Sequence, residues 1–313
     1  MLALLADLDQ QFGNGDGMIQ LDEWLQGMRK MAEDMSDADF ETEVANWNRV
    51  LTANQRKLWQ GCYSRGHANS FVIASRAAGA THALFVAHGH TEAGPPVAFA
   101  TGDPSQVDLA QVAEEKAVDM TLSLTDRGSA QCMVARDEWF GRLPVRKSIL
   151  SSPAKRCTET ALHMLGQPQL RGAPADEQPT LLVEKLHPIG QSVMCEELVR
   201  QRGCGPLRTL LDAEGGETAF GLYAETTCEE IAAKFREENE KPTADGQRER
   251  ATYVSLVGHA GFLNAVAYAV STAAGIEGDS LEATLDIDLG EAEGILVPLY
   301  GKGKSVIHLK RPL

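Results

Sequence analysis

The chain has 313 residues, enough to bury a full core and to hold one large domain with something small beside it. Its 43% hydrophobic and 23% charged residues are ordinary for a globular protein, and a formal net charge of −15 argues against nucleic acid or an anionic membrane as the main partner. An anionic small substrate would need a local basic pocket, because the overall field repels it. The six cysteines, Cys62, Cys132, Cys157, Cys195, Cys204 and Cys228, have neither CxxC spacing nor the density of a secreted scaffold, and read as free thiols in a reducing compartment. No apolar run approaches the roughly 18 residues of a membrane helix. MLALLA at the start is too short for a signal-peptide core and is ended by Asp7. It reads as the tail of an amphipathic helix whose beginning is missing, in a fragment of a cytoplasmic protein.

In chain order, the first feature is FGNGDGMIQLDE at 12–23. Asn14 and Asp16 fit positions 3 and 5 of a twelve-residue calcium loop, Gly17 the turn at 6, Ile19 the apolar position 8, and Glu23 the bidentate position 12. Leu2, Leu5 and Leu8 before it, and Trp24, Leu25, Met28 and Met31 after it, recur at helical spacing. This resembles an EF-hand, which implies calcium bound through Asn14, Asp16 and Glu23 and a protein partner docking there under calcium control. Position 1 is Phe12 instead of a carboxylate, and there is no second loop to pair with. An acidic helix–turn–helix that no longer binds calcium is the other reading. Residues 36–60 read as a helix, with Ser36 as cap and Phe40, Val44, Trp47, Val50 and Leu51 at 3–4 spacing. The segment 1–60 is therefore expected to be a small helical unit, and 60–80, less periodic, a link.

HALFVA at 82–87 reads as a buried strand running straight into His88-Gly89-His90-Thr91. That places an imidazole at the carboxyl edge of a sheet, where open α/β sheets hold ligands. Proline and TGDP turns at 95–96 and 101–104 follow. A helix is expected from Thr125, a plausible N-cap, to about Phe140. A strand is expected over 147–152 and then a helix whose first turn holds Pro153. LLVE at 181–184 reads as a short strand, and 186–226 as an irregular, glycine-rich insertion over a site. A helix over 227–239, a strand over 253–257 delivering Gly258-His259, a helix over 260–274 and a strand pair at 294–299 and 305–310 complete the chain. Strands alternating with helices imply an α/β domain over 75–313, with a mostly parallel central sheet and helices on both faces.

Three strand ends thus deliver His88, Arg156 and His259. Arginine grips phosphate in a fork, helix amino-termini add positive ends, and an imidazole can attack phosphorus. With AHGHT at 87–91, LTDRGSAQ at 124–131, SSPAKRCTETA at 151–161 and VGHAG at 257–261 in this order, the chain resembles the histidine phosphatase superfamily, of phosphoglycerate mutase-like fold. The resemblance covers roughly 80–310. It implies a small phosphorylated substrate, no metal for the chemistry, and His88 as the nucleophile that becomes phosphohistidine. His259 and Arg156 would bind the phosphoryl oxygens, Gly89, His90 and Thr91 would line the phosphate seat, and Glu196 or Glu197 would be the general acid.

The chain departs from the family pattern at Ala87, where the family has an arginine, at His90, where it has Glu or Gln, and at Gly94, where an Asn often stands. Each lost charge-assisted hydrogen bond is worth about 1.5–3 kcal/mol, and a lost preorganised donor about 10²–10³ in rate. Three readings therefore stand side by side: a phosphomonoester hydrolase using His88, a pseudophosphatase acting as a binding or regulatory module, and different chemistry in the inherited pocket. Mutase activity is disfavoured, since no large substrate-binding motif is evident. His88 with His90 suggests a metal only weakly, because alternate residues leaving a strand point opposite ways. His82, His163, His187 and His308 read as structural or surface residues.

Overall fold

A computed structural model of the chain describes residues 66–92, 109–144, 149–170, 173, 179–189, 191–240, 253–300 and 304–311, all within the compact unit Trp59–Leu313. The calcium-loop residues Asn14, Asp16 and Glu23, the helix read over 36–60, Gly94 and the turns at 95–96 and 101–104 lie outside the described residues.

Nine helices are described: α1 (His67–Ala77), α2 (Leu109–Thr121), α3 (Asp126–Glu138), α4 (Lys155–Met164), α5 (Val193–Arg202), α6 (Leu207–Leu211), α7 (Gly216–Glu240), α8 (Phe262–Ala274) and α9 (Asp279–Leu285). The strands are β1 (His82–Ala87), β2 (Ile149–Ser151), β3 (Thr180–Leu182), β4 (Tyr253–Gly258), β5 (Gly294–Pro298) and β6 (Ile307–Leu309), in the sheet order β3-β2-β4-β1-β5-β6. The first four in that order run parallel, while β5 is antiparallel to both β1 and β6.

Alternation along β1 explains the layers. Ala83, Phe85 and Ala87 join the apolar cluster formed with α1, α7 and α8, while Leu84 and Val86 join the one formed with α3 and α4. Both faces of the sheet are covered by helices, and the strand reads as an unbroken apolar run for that reason. The centre of the parallel part, β2-β4-β1, brings three carboxyl ends side by side. His88 N donates to Gly258 O at 3.0 Å and Ser152 N to Val257 O at 2.9 Å, so the residues after all three strands are stitched together. Among the described residues no helix is long and apolar enough to cross a membrane.

The structure departs from the sequence expectations in several places. Residues 67–77 are a helix and not a link, with Ala68, Phe71, Val72 and Ser75 buried on one face. Pro153 precedes the helix, which begins at Lys155 after Ala154 as N-cap. The strand read over 181–184 covers Thr180–Leu182, and Glu184–Leu186 turn into a 3-10 helix. Most of the insertion read as irregular is helical: Ser192 caps α5 by accepting from Cys195 N, and Gly203, at φ 80, ends it. Its glycines punctuate short helices. The long helix that follows them, α7, starts at Gly216, well before the expected Thr227.

Candidate active site

Each of the three strand ends contributes one side chain. His88 follows β1, His259 follows β4, and Arg156 lies in the first turn of α4, one turn beyond the end of β2. Their rings and guanidinium meet. The Nε of Arg156 donates to His88 Nε2 at 3.3 Å, and its Nη2 to His259 Nδ1 at 3.2 Å. The two imidazoles stand edge to face with centroids 5.1 Å apart.

These contacts fix the tautomers. His88 Nδ1 lies 2.8 Å from Gly89 O, and a carbonyl can only accept, so Nδ1 carries the proton and Nε2 presents its lone pair. Burial first, then the charge of Arg156, pushes His88 down to about 4, against smaller opposing effects of the Gly89 carbonyl, Asp119 and Glu291. His259 accepts at Nδ1, so its proton sits on Nε2, 3.2 Å from Ser152 Oγ. Burial, followed by Arg156, His88 and His187, holds His259 well below the ordinary imidazole value. Both rings are therefore neutral at pH 7, and His88 offers an unprotonated, oriented nitrogen.

The residues around His88 hold its loop in place. Thr125 caps α3 by accepting from Gly128 N at 3.0 Å, and its hydroxyl also meets His90 Nδ1 at 2.8 Å. Gln131 accepts from His90 N at 2.8 Å, and Thr160 Oγ1 accepts from Gly89 N at 3.1 Å. Thr91 Oγ1 donates to Ser123 O at 3.1 Å, and Glu159 receives Leu124 N at 2.8 Å. A Cβ on Gly128 would lie 2.1 Å from His90 O, and one on Gly89 would lie 2.7 Å from Gly128 O. Only glycine permits this approach of backbone to backbone. The amides of Gly89 and His90 and the side chains of His90 and Thr91 are thus bonded within the protein. Ala87, 2% exposed, packs in the apolar cluster with α1, α7 and α8.

The two glutamates read as acids differ. Glu197 is bonded to Arg200 and Gln201 on its own helix, and its hydrogen bond from Arg200 holds its carboxyl below the usual range. Glu196 is buried in the first turn of α5. Five free cysteines are described; Cys157 Sγ lies 3.6 Å from His259 Nε2, and burial pushes that thiol up to about 12. Among the described residues no group of three or more His, Cys, Asp or Glu side chains could hold a metal ion.

Two site residues escape the sequence reading. Asp119, in the last turn of α2, receives Arg156 Nη2 at Oδ2 (2.8 Å) and Arg156 Nη1 at its carbonyl (2.8 Å). His187, read as structural or surface, is fully buried; its Nε2 lies 2.8 Å from the same Asp119 Oδ2 and its ring 5.6 Å from that of His259. Burial works to raise the Asp119 carboxyl, but hydrogen bonds from His187 and Arg156 and the positive charge of Arg156 outweigh it and hold the group below its ordinary value. Nothing in the acidic run around Asp119 distinguishes it from solvated neighbours. For His187 the following Pro188 signals only its extended backbone, and nothing local in the sequence marks its burial.

Neither a protein-family model nor a curated protein matches this chain. Among solved structures, it is similar to the mycobacterial glucosyl-3-phosphoglycerate phosphatase at 16% identity over 74% of this chain and 99% of that one, with a TM-score of 0.38. The phosphoserine phosphatase of Entamoeba histolytica in complex with 3-phosphoglyceric acid matches at 13% identity over 74% and 95%, with a TM-score of 0.36. The protein histidine phosphatase SixA complexed with tungstate matches at 13% identity over 73% and 94%, with a TM-score of 0.34. Likenesses at these TM-scores assign neither family nor activity.

Proposed function

We propose that this protein transfers a phosphoryl group from a small phosphomonoester through a phosphohistidine on His88. The observation that carries the reading is the pairing of a neutral, Nδ1-protonated His88 with the guanidinium of Arg156 at its Nε2. A nucleophilic nitrogen in hydrogen-bond reach of the group that would grip the phosphoryl oxygens is the arrangement in-line displacement needs. His88 Nε2 would attack phosphorus as the ester P–O bond breaks. Arg156 and the helix α4 amino-terminus would hold the equatorial oxygens, and water would later release phosphate from His88. His259, neutral and proton-bearing at Nε2, is the second group facing His88.

Ala87 supports a slow enzyme. With alanine at the end of β1, Arg156 is the one guanidinium among the described residues that bonds to His88. A second reading, a pocket that binds an anion without turning it over, is favoured by a specific contact: Arg156 already spends donors on Asp119, His88 and His259. Turnover of a panel of phosphomonoesters by wild type and His88→Ala separates the two. Wild-type hydrolysis lost in His88→Ala supports transfer; an inert wild type that still binds inorganic phosphate supports the second.

A further inference from the structure

We infer that His187, oriented by Asp119, is the proton carrier of the transfer: it protonates the leaving oxygen and then takes the proton of the hydrolytic water. This rests on the phosphoryl-transfer reading and names a residue that reading lacks.

The geometry is that of an imidazole set to work at one nitrogen. His187 Nε2 donates to Asp119 Oδ2 at 2.8 Å, which leaves Nδ1 as the working atom. That Nδ1 is buried without a hydrogen-bond partner, in a side chain with no exposure. Buried polar atoms are nearly always satisfied, so an orphan in a site calls for a ligand to meet it. The ring sits edge to face with His259, 5.6 Å between centroids, and His259 is in turn the ring neighbour of His88 at 5.1 Å. Asp119 ties the pair to the phosphoryl-gripping group, since the same Oδ2 receives Arg156.

The other acids nearby fit the task less well. Asp119 is held as a carboxylate by its two donors, and Glu197 by Arg200. Protonated on both nitrogens and facing the Asp119 carboxylate, His187 can donate from Nδ1. In the first step the N–P bond forms at His88 Nε2, the P–O ester bond breaks, and the Nδ1 proton goes to the leaving oxygen. In the second, neutral Nδ1 takes a proton from water as its oxygen bonds phosphorus, the N–P bond breaks, and His88 regains its lone pair. Every proton and electron pair is returned.

The test compares a poor leaving group with one that needs no proton. In His187→Gln, kcat/KM for glycerol 2-phosphate should fall about 10²-fold or more, and that for 2,4-dinitrophenyl phosphate less than about tenfold. Glu196→Gln should show no such selective loss, while Asp119→Asn, which also removes the carboxylate that holds Arg156, should lose activity on both esters. Equal losses on both esters in His187→Gln, no loss on either, or a selective loss confined to Glu196→Gln would overturn the assignment. A wild type that hydrolyses neither ester overturns the parent reading and this one with it, a result distinct from the others. Should His187→Gln fail to fold, imidazole ¹⁵N resonances of the wild type decide: saturation with inorganic phosphate should protonate His187 Nδ1, and an Nδ1 that stays bare contradicts the assignment.

Discussion

Arg156 and Asp119 are joined twice: Nη2 lies 2.8 Å from the carboxylate Oδ2, and Nη1 lies 2.8 Å from the carbonyl of the same aspartate. The arginine is 5% exposed, so this pair is largely shielded from water. A buried guanidinium without its carboxylate would be strongly unfavourable, and here the carboxylate also fixes the plane of the fork. The remaining donors then point at His88 and His259.

Arg156→Lys keeps the charge and loses the fork. One ammonium cannot span Asp119, His88 and His259 together, so kcat/KM on a phosphomonoester should drop about 10²–10³-fold with the fold intact. Steady-state kinetics check this, with circular dichroism as the control on folding. A drop below about threefold would mean that the fork does not grip the transferred group.

Thr160→Val tests how the His88 loop is held. Thr160 Oγ1 accepts from Gly89 N and donates to Arg156 O, linking the loop after β1 to the helix that carries the arginine. Removing the hydroxyl leaves a buried amide without its partner, at a cost of about 1–3 kcal/mol. Urea unfolding should register that loss, and turnover should fall with it; an unchanged midpoint contradicts the account of the loop.

Gly128→Ala should be the more severe change. A Cβ there meets the His90 carbonyl at 2.1 Å, backbone against backbone, and one of the two segments must move. Because the clash falls on the backbone of His90, two residues after His88 in the same loop, activity should be lost more steeply than stability, read as kcat/KM against the unfolding midpoint. Wild-type activity in this variant would show that the loop is not positioned by α3.

The pH dependence of stability has a defined sign. His88 falls to about 4 in the folded protein from an ordinary 6.5, and His259 lies well below 6.5. The unfolded chain therefore binds more protons below about 6.5, and stability declines as pH falls from there toward 4, by up to about 1.4 kcal/mol per pH unit for each group. Asp119, held low in the folded state, acts in the same direction as pH drops through its range. Urea midpoints should change little between pH 7.5 and about 6.5 and then decrease toward pH 4.5, and that slope should flatten in His88→Ala. A midpoint independent of pH would contradict neutral burial of these rings.

How much of this was legible in the sequence depends on what each residue answers to. The strands at 82–87 and 253–258 could be read because both are buried on two faces, and an unbroken apolar run is the trace of that burial. His88, Arg156 and His259 stand at ends of such elements, where local pattern and site coincide. Asp119 carries no local mark: its role is made by Arg156, 37 residues away, and an acidic chain offers many equivalent carboxylates. His187 is defined by Asp119 itself, 68 residues away. The helices of 193–240 were obscured by glycines that end and start them, Gly203 and Gly216, and that read as irregularity when taken together. Helix 67–77 did have its signal, Phe71, Val72 and Ser75 on one buried face, weakened by the short length of the run.

The measurement that bears most directly on the central claim is isolation of the phosphorylated protein. Wild type quenched during turnover of a ³²P-labelled phosphomonoester should carry acid-labile, base-stable label that peptide mapping assigns to His88, and His88→Ala should carry none. Label on another residue, or hydrolysis by wild type with no covalent label under conditions where His88→Ala is equally active, would contradict phosphoryl transfer through His88.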